Sequence, residues 1–265
     1  MKLLIQSDDY GITKAQAHGA IEGIKNGLIR NTGFFANMPW AEEVVEWIRP
    51  YLDQIAFGID LNASTGPSVL GYDKVPGLCH EDGSFLTSKE NRALDTEENN
   101  FDHVNYDEIY AEFDAQIQKH LALVGKLPDY IHGHAYGTAT TNRAYVELAK
   151  KYDRPLSTAM MEKFFLAPDE NPFSLMGWYI NPPTLENQAK SSLKNHILEN
   201  GNSWLNREYR SIVCHCGYVD RELMDLSSYN IYRLNDLDAL LSQEVKDWVR
   251  DNNVELITYN DLDWR

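Results

Sequence analysis

Lys2-Leu3-Leu4-Ile5-Gln6-Ser7-Asp8-Asp9-Tyr10-Gly11 is the stretch on which the reading of this chain turns. Leu3 to Gln6 has the short, unalternating apolar character of a buried strand, and it stops at two adjacent carboxylates. Ala15 to Asn26 follows as a helix, with Ala17, Ala20, Ile21 and Ile24 at helical spacing and Gly27 as its stop. The unit then recurs. Further strands are predicted over Thr32 to Ala36, Ile55 to Leu61, Tyr130-Ile131, Ser211 to Cys214 and Val254 to Thr258. Helices are predicted over Ala41 to Leu52, Tyr106 to Val124, Asn142 to Tyr152, Pro183 to Gly201 and within Ile231 to Arg250. Strands alternating with helices call for a parallel sheet. No Gly-x-Gly-x-x-Gly follows the first strand and no Gly-Lys-Ser/Thr occurs, so the dinucleotide and P-loop readings lack their fingerprints.

Two segments stand outside this rhythm. Residues 63 to 104, rich in Gly, Pro, Asp, Glu and Asn, read as a long loop or lid. Residues 159 to 183 are irregular and aromatic. With 265 residues, 43% of them hydrophobic, the chain suffices for one large core, and no linker or repeat divides it. The expectation is therefore an α/β, TIM-barrel-like barrel, incomplete in its symmetry, as a single domain over residues 1–265.

The formal charge of −16 and pI of about 4.8 argue against nucleic acid and anionic membrane surfaces as partners. Cys79, Cys214 and Cys216 are an odd set without framework spacing, and no apolar run has the length of a signal peptide or membrane span. A reducing cytoplasm is the expected compartment.

The polar clusters all fall directly after strands. Asp8-Asp9, Asp60, His132-Gly133-His134 and His215 occupy the strand ends that form the site face of parallel α/β proteins. Adjacent carboxylates resist joint ionisation unless a cation or shared proton relieves them, although an Asp there could also cap the next helix. His132 and His134 alternate on an extended segment, so both imidazoles can face one side and suit zinc or a similar ion. Cys214-His215-Cys216 offers three soft ligands where a structural zinc needs four. His215, pointing opposite to its neighbours, reads as a general acid, with the cysteines as packing. His18, His103, His120 and His196 read as surface or helix-face residues. Phe173, Trp178 and Tyr179 read as core or as a sugar-stacking platform.

These residues carry a resemblance. Ser7-Asp8-Asp9-Tyr10-Gly11, Gly58-Ile59-Asp60-Leu61-Asn62, Pro128-Asp129-Tyr130-Ile131-His132-Gly133-His134 and Cys214-His215-Cys216-Gly217-Tyr218 resemble, in order, the motifs of the YdjC-like carbohydrate deacetylases. That group includes the chitooligosaccharide (diacetylchitobiose) deacetylases. The likeness runs from about residue 2 to 260 and takes in Arg233-Leu234 and Val254 to Tyr259. It implies a (β/α) barrel and one divalent metal ion, magnesium or zinc. By position it implies Asp9, Asp60 and His134 as ligands, with His132 beside them, Asp8 as the base that activates water and His215 as the acid that protonates the leaving amine. The chain departs from the family where Asp60 replaces a His, His132 replaces an Asp and Cys216 replaces a Pro. The Asp60 and His132 exchanges can offset each other around one ion, and they shift preference toward harder metals.

The expected activity is metal-dependent removal of acetyl groups from N-acetylated sugars or short oligosaccharides, with a small-molecule sugar as partner and a homodimer left open. Two rivals are an isomerase or phosphodiesterase on the same scaffold and a non-catalytic sugar-binding descendant. The absence of an Arg/Lys cluster near the motifs in sequence argues against a phosphorylated substrate.

Overall fold

The computed structural model describes residues 1–167 and 169–265. Among them six parallel strands form one sheet: β1 (Lys2–Tyr10), β2 (Asn31–Phe34), β3 (Ala56–Leu61), β4 (Ile131–Gly133), β5 (Tyr209–Cys214) and β6 (Glu255–Ile257). Their order is β4-β3-β2-β1-β5, with β6 beside β1. β1 is shared on one side: its first residues, Lys2 to Leu4, pair with β6, and its later residues pair with β2. Asn31 holds that fork. Its Nδ2 donates to the carbonyls of Ile5 and Ile257, and its Oδ1 accepts from the Tyr259 N–H.

Side-chain alternation along the strands builds two layers. Leu3 and Ile5, Phe57 and Ile59, and Ile212 and Cys214 face the helices in the main core. Leu4, Ala56, Val213 and Ile257 face the other way, into a second cluster with Tyr130 and Tyr259. Both faces are covered, which is why the strands read as unbroken apolar runs. In chain order the helices begin with α1 (Lys14–Lys25), α2 (Ala41–Ile48), α3 (Ser88–Leu94), α4 (Tyr106–Val124) and α5 (Ala139–Tyr152). After them come α6 (Ser157–Met160), α7 (Leu185–Lys190), α8 (Leu193–Trp204), α9 (Arg221–Leu226), α10 (Ile231–Leu241) and α11 (Gln243–Asp251).

The parallel α/β architecture expected from the alternation is present, as a curled partial barrel. No ladder joins β4 to β5 among the described residues. Leu156 forms an isolated parallel bridge to Ile131, and Met161, Phe165 and Leu175 pack with Val213 on the inner layer. A complete eight-stranded barrel is therefore absent among the described residues.

Boundaries differ where caps intervene. Thr13 accepts from the Gln16 N–H and starts α1 there. Ser192 and Ser242 cap new helices, so the two long helical stretches expected over 183–201 and 231–250 each break in two. The 63–104 segment contains α3, opened by a capping box between Thr87 and Glu90. It is tied to α4 through Glu112, whose carboxylate accepts from the N–H groups of Val69 (2.9 Å) and Leu70 (3.0 Å). No described helix is long and apolar enough to cross a membrane.

Candidate active site

Asp8 and Asp9 are consecutive, so a regular strand would aim them at opposite faces. Here the pairing of β1 with β2 shifts register between Ser7 and Tyr10, and Asp9 adopts a left-handed backbone (φ 68°). This bulge turns both carboxylates into one cavity, a re-aiming that Asp tolerates better than most residues. Strand register supplies the rest. Asp60 lies directly across from His132 on β3 and β4, and Ser7 lies across from Cys214, which brings His215 beside Asp8.

One ligand atom each of Asp8, Asp60 and His132 lies within 4.8 Å of the others. Gln6 Nε2 donates to Asp8 Oδ1 at 2.5 Å, leaving Oδ2 facing His132 Nε2 at 3.4 Å. The other ring nitrogen of His132 is engaged by Ser157 Oγ at 2.6 Å. Asp60 Oδ2 accepts from the Asp9 N–H at 2.7 Å, while its Oδ1 is buried without a partner among the described residues. Gly33 makes room for it: a Cβ there would lie 1.7 Å from Asp60 Oδ1.

Asp9 and His134 form an adjoining pair. His134 Nδ1 is 2.8 Å from Asp9 Oδ1, and the fully buried Arg233 donates through Nη2 to Asp9 Oδ2 at 2.6 Å. Thus the structure gathers all six residues singled out at strand ends. The three brought into ligand spacing are Asp8, Asp60 and His132, whereas Asp9 and His134 engage each other and Arg233.

Burial pushes the Asp60 carboxyl well above the usual carboxylate range, and the neighbouring Asp8 adds to it. Burial also pushes Asp8 and Asp9 upward, but their partners outweigh it. His132 holds Asp8 low, and His134 and Arg233 hold Asp9 well below its ordinary value. His132 shows the reverse balance: burial disfavours its charge, but Asp8 and Asp60 raise it to about 9. Asp60 Oδ1 and Arg233 Nη1, on two residues that each hydrogen-bond to Asp9, are buried without partners among the described residues. Two carboxylates and one imidazole at this spacing, with an unpartnered carboxylate oxygen and a glycine cradle, fit a hard or borderline divalent cation.

His215 is held from behind. Its N–H donates to Asp236 Oδ2 at 3.0 Å, and its Nδ1 lies 3.0 Å from the Tyr179 hydroxyl. Tyr179 gives its single proton to Asp236 Oδ2. Toward His215 the phenol oxygen can therefore only accept, so Nδ1 carries the ring proton and Nε2 presents a lone pair. That Nε2 is 4.0 Å from Asp8 Oδ2. Burial pushes the imidazole below its ordinary value, with Asp9 and Asp8 opposing, so it is neutral near pH 7. Asp236 itself is raised to about 6 by burial.

The cavity measures about 820 Å³. Asp8, Asp9, His132, His134 and His215 line it, and α3 contributes Lys89 and Arg92, neither of which is paired with a carboxylate among the described residues. The sequence argument against a phosphorylated substrate is corrected on this point, because folding brings two cations to the cavity that lie far from the motifs in the chain. One further expectation changes. His120, read as a surface or helix-face residue, is fully buried against Phe34 and Phe57. Of the aromatic trio, Trp178 is core, Tyr179 supports His215 and Phe173 stands exposed. Arg233 enters the sequence reading only through the family likeness at Arg233-Leu234, without a role, and Asp236, Gln6 and Ser157 carry no motif of their own. The Arg233 to Asp236 spacing on one helix was the available signal.

Residues 2–251 match the sequence model of the YdjC-like protein family. A carbohydrate deacetylase of Thermoanaerobacter pseudethanolicus is 28% identical, the match covering 98% of each chain. Carbohydrate deacetylase 2 of Listeria innocua is 27% identical over 99% of each. Among solved structures, an Enterococcus faecalis V583 protein provisionally named a cellobiose-phosphate cleavage protein superposes with a TM-score of 0.74. It is 27% identical, and the match covers 98% of this chain and 97% of that one.

Proposed function

The chain belongs to the YdjC-like family, and from that premise we propose that it is a divalent-metal-dependent hydrolase that removes acetyl groups from N-acetylated sugars or short oligosaccharides. The observation that carries this reading is the buried Asp8, Asp60 and His132 cluster, of which Asp8 and His132 line one cavity with a neutral His215. The full-length similarity to carbohydrate deacetylases supports the substrate class.

Asp8 Oδ2, Asp60 Oδ1 and His132 Nε2 would hold the cation. The geometry favours this set over Asp9 and His134, because Arg233 already binds Asp9 Oδ2 and His134 Nδ1 lies 2.8 Å from Asp9 Oδ1. When bound, the ion would supply the acidity of a coordinated water, with a pKa of about 7, and polarisation of the substrate carbonyl. The protein supplies the proton traffic. Neutral His215 takes a proton from water through Nε2 and passes it to the departing nitrogen, which would otherwise leave poorly. Asp236 and Tyr179 hold the ring in the tautomer this requires. Asp9, clamped by Arg233 and His134, completes the wall and keeps its charge. The 63–104 segment, through α3, acts as a lid over this cavity, and the free cysteines Cys79, Cys214 and Cys216 suit a reducing cytoplasm.

Separate variants test the two halves. His215→Ala should keep the metal and lose about 10²–10⁴ in kcat, whereas His132→Ala should lose the metal itself. Full turnover in either variant would sink the assignment. A second reading, cleavage of a phosphate-bearing sugar, draws on Lys89 and Arg92 in the cavity. It predicts a product other than acetate.

A further inference from the structure

We propose that Phe173 is a specificity-determining residue: its ring is the platform for a second sugar unit, glycosidically linked to the one that is deacetylated. This rests on the sugar-hydrolase reading above. Phe173 is 76% exposed, the most exposed of the large apolar side chains among the described residues. An exposed phenylalanine alone needs no explanation. This one lines the same cavity as Asp8, His132 and His215. Pro172 and Met176 of the same 3₁₀ turn (Pro172–Met176), and Met161 nearby, line it too, making one wall apolar while the strand ends make the other wall polar.

The turn is fixed, so the ring is presented rather than loosely tethered. Asn171 Oδ1 accepts from the Phe173 N–H at 2.9 Å, and Pro172 presets the first turn position. Leu175 plugs into the inner cluster at 1% exposure, and Arg210 Nη2 donates to the Ser174 carbonyl at 3.2 Å. These contacts hold the turn on either side of residue 173 while its ring stays exposed.

The volume agrees with two units. Pockets of about 300–1,000 Å³ bury ligands of drug size, and 820 Å³ lies toward the upper end, beyond what a single N-acetylhexose fills. A pyranose has an apolar face of C–H groups and a rim of hydroxyls. The electron-rich face of a phenyl ring matches the first, and neighbouring hydroxyls such as Ser227 and Ser228, also in the cavity wall, match the second.

The test uses the metal-supplemented full chain with N-acetylglucosamine and with β-1,4-linked di-N-acetylglucosamine. For Phe173→Ala the ratio of disaccharide to monosaccharide kcat/KM should fall about tenfold, through KM, and Phe173→Trp should restore it. Disaccharide binding to chelator-treated protein, followed by calorimetry, should weaken about tenfold in Phe173→Ala. An unchanged ratio with unchanged binding, or equal losses on both sugars, overturns the platform. Acetate release with no Phe173 effect leaves the deacetylase reading standing without it. Phe173-dependent binding without acetate release does the reverse.

Discussion

Replacing Arg233 by methionine removes a guanidinium that is 1% exposed and lies 2.6 Å from Asp9 Oδ2. Methionine has a similar unbranched stem, so the loss is chiefly one of charge. Removing one partner of a buried ion pair usually costs about 3–5 kcal/mol, because the other charge stays buried. His134 remains 2.8 Å from Asp9 Oδ1, which argues for the lower end, about 3 kcal/mol. For a chain of this size that corresponds to a melting temperature lower by roughly 6–12 °C. The pH dependence follows from Asp9. Its folded pKa is depressed, so in the parent it stabilises the fold above the unfolded value of about 3.9, and that stability is lost as pH falls through the folded value. In Arg233→Met the carboxyl rises and most of that contribution disappears. The difference between the two proteins should therefore be large near pH 7 and shrink below about pH 4. Urea unfolding followed by circular dichroism, with chelator present, measures it. A difference under 1 kcal/mol at neutral pH, or one that does not narrow in acid, would refute the clamp.

Gly33→Ala should displace Asp60, since the new Cβ would sit 1.7 Å from its Oδ1, and metal affinity by calorimetry should fall about 10–100-fold. His120 is buried without a side-chain partner among the described residues and is pushed down to about 3 by burial. The unfolded chain therefore binds its proton first, and stability is lost as pH falls from about 6.5. His120→Leu should lose about 2–3 kcal/mol less than the parent between about pH 7 and pH 4.5 in urea titrations. Glu112→Ala should release Val69 and Leu70, costing about 1.5–3 kcal/mol and making the 63–104 segment cleave faster in limited proteolysis.

What the sequence made legible was set by short-range rules. Strand ends carry the chemistry of parallel α/β proteins, so Asp8, Asp9, Asp60, His132, His134 and His215, which the fold gathers, could be singled out from position. The period of two placed His132 and His134 together. Tyr106–Val124 was found at full length because its apolar spacing is regular and Asn105 and Gly125 close its ends. The illegible part depends on backbone exceptions and distance. A left-handed Asp9 is invisible without coordinates, and so was the way it gives the two carboxylates different partners. Arg233 reaches Asp9 across 224 positions, and Asp236 and Tyr179 join His215 from two different segments. His120 looked like a polar face of α4 because nothing local says that Phe34 and Phe57 will cover it. The barrel expectation overreached where the Leu156 to Met176 segment takes over from regular strands.

Acetate release from β-1,4-linked di-N-acetylglucosamine tests the central claim most directly. The protein would be stripped with chelator and then supplied separately with magnesium, manganese, cobalt, nickel or zinc. The Asp8, Asp60, His132 and His215 arrangement predicts no release from the stripped protein and release restored by at least one ion. Release that persists undiminished in chelator, or no release with any ion from a folded protein, would contradict it.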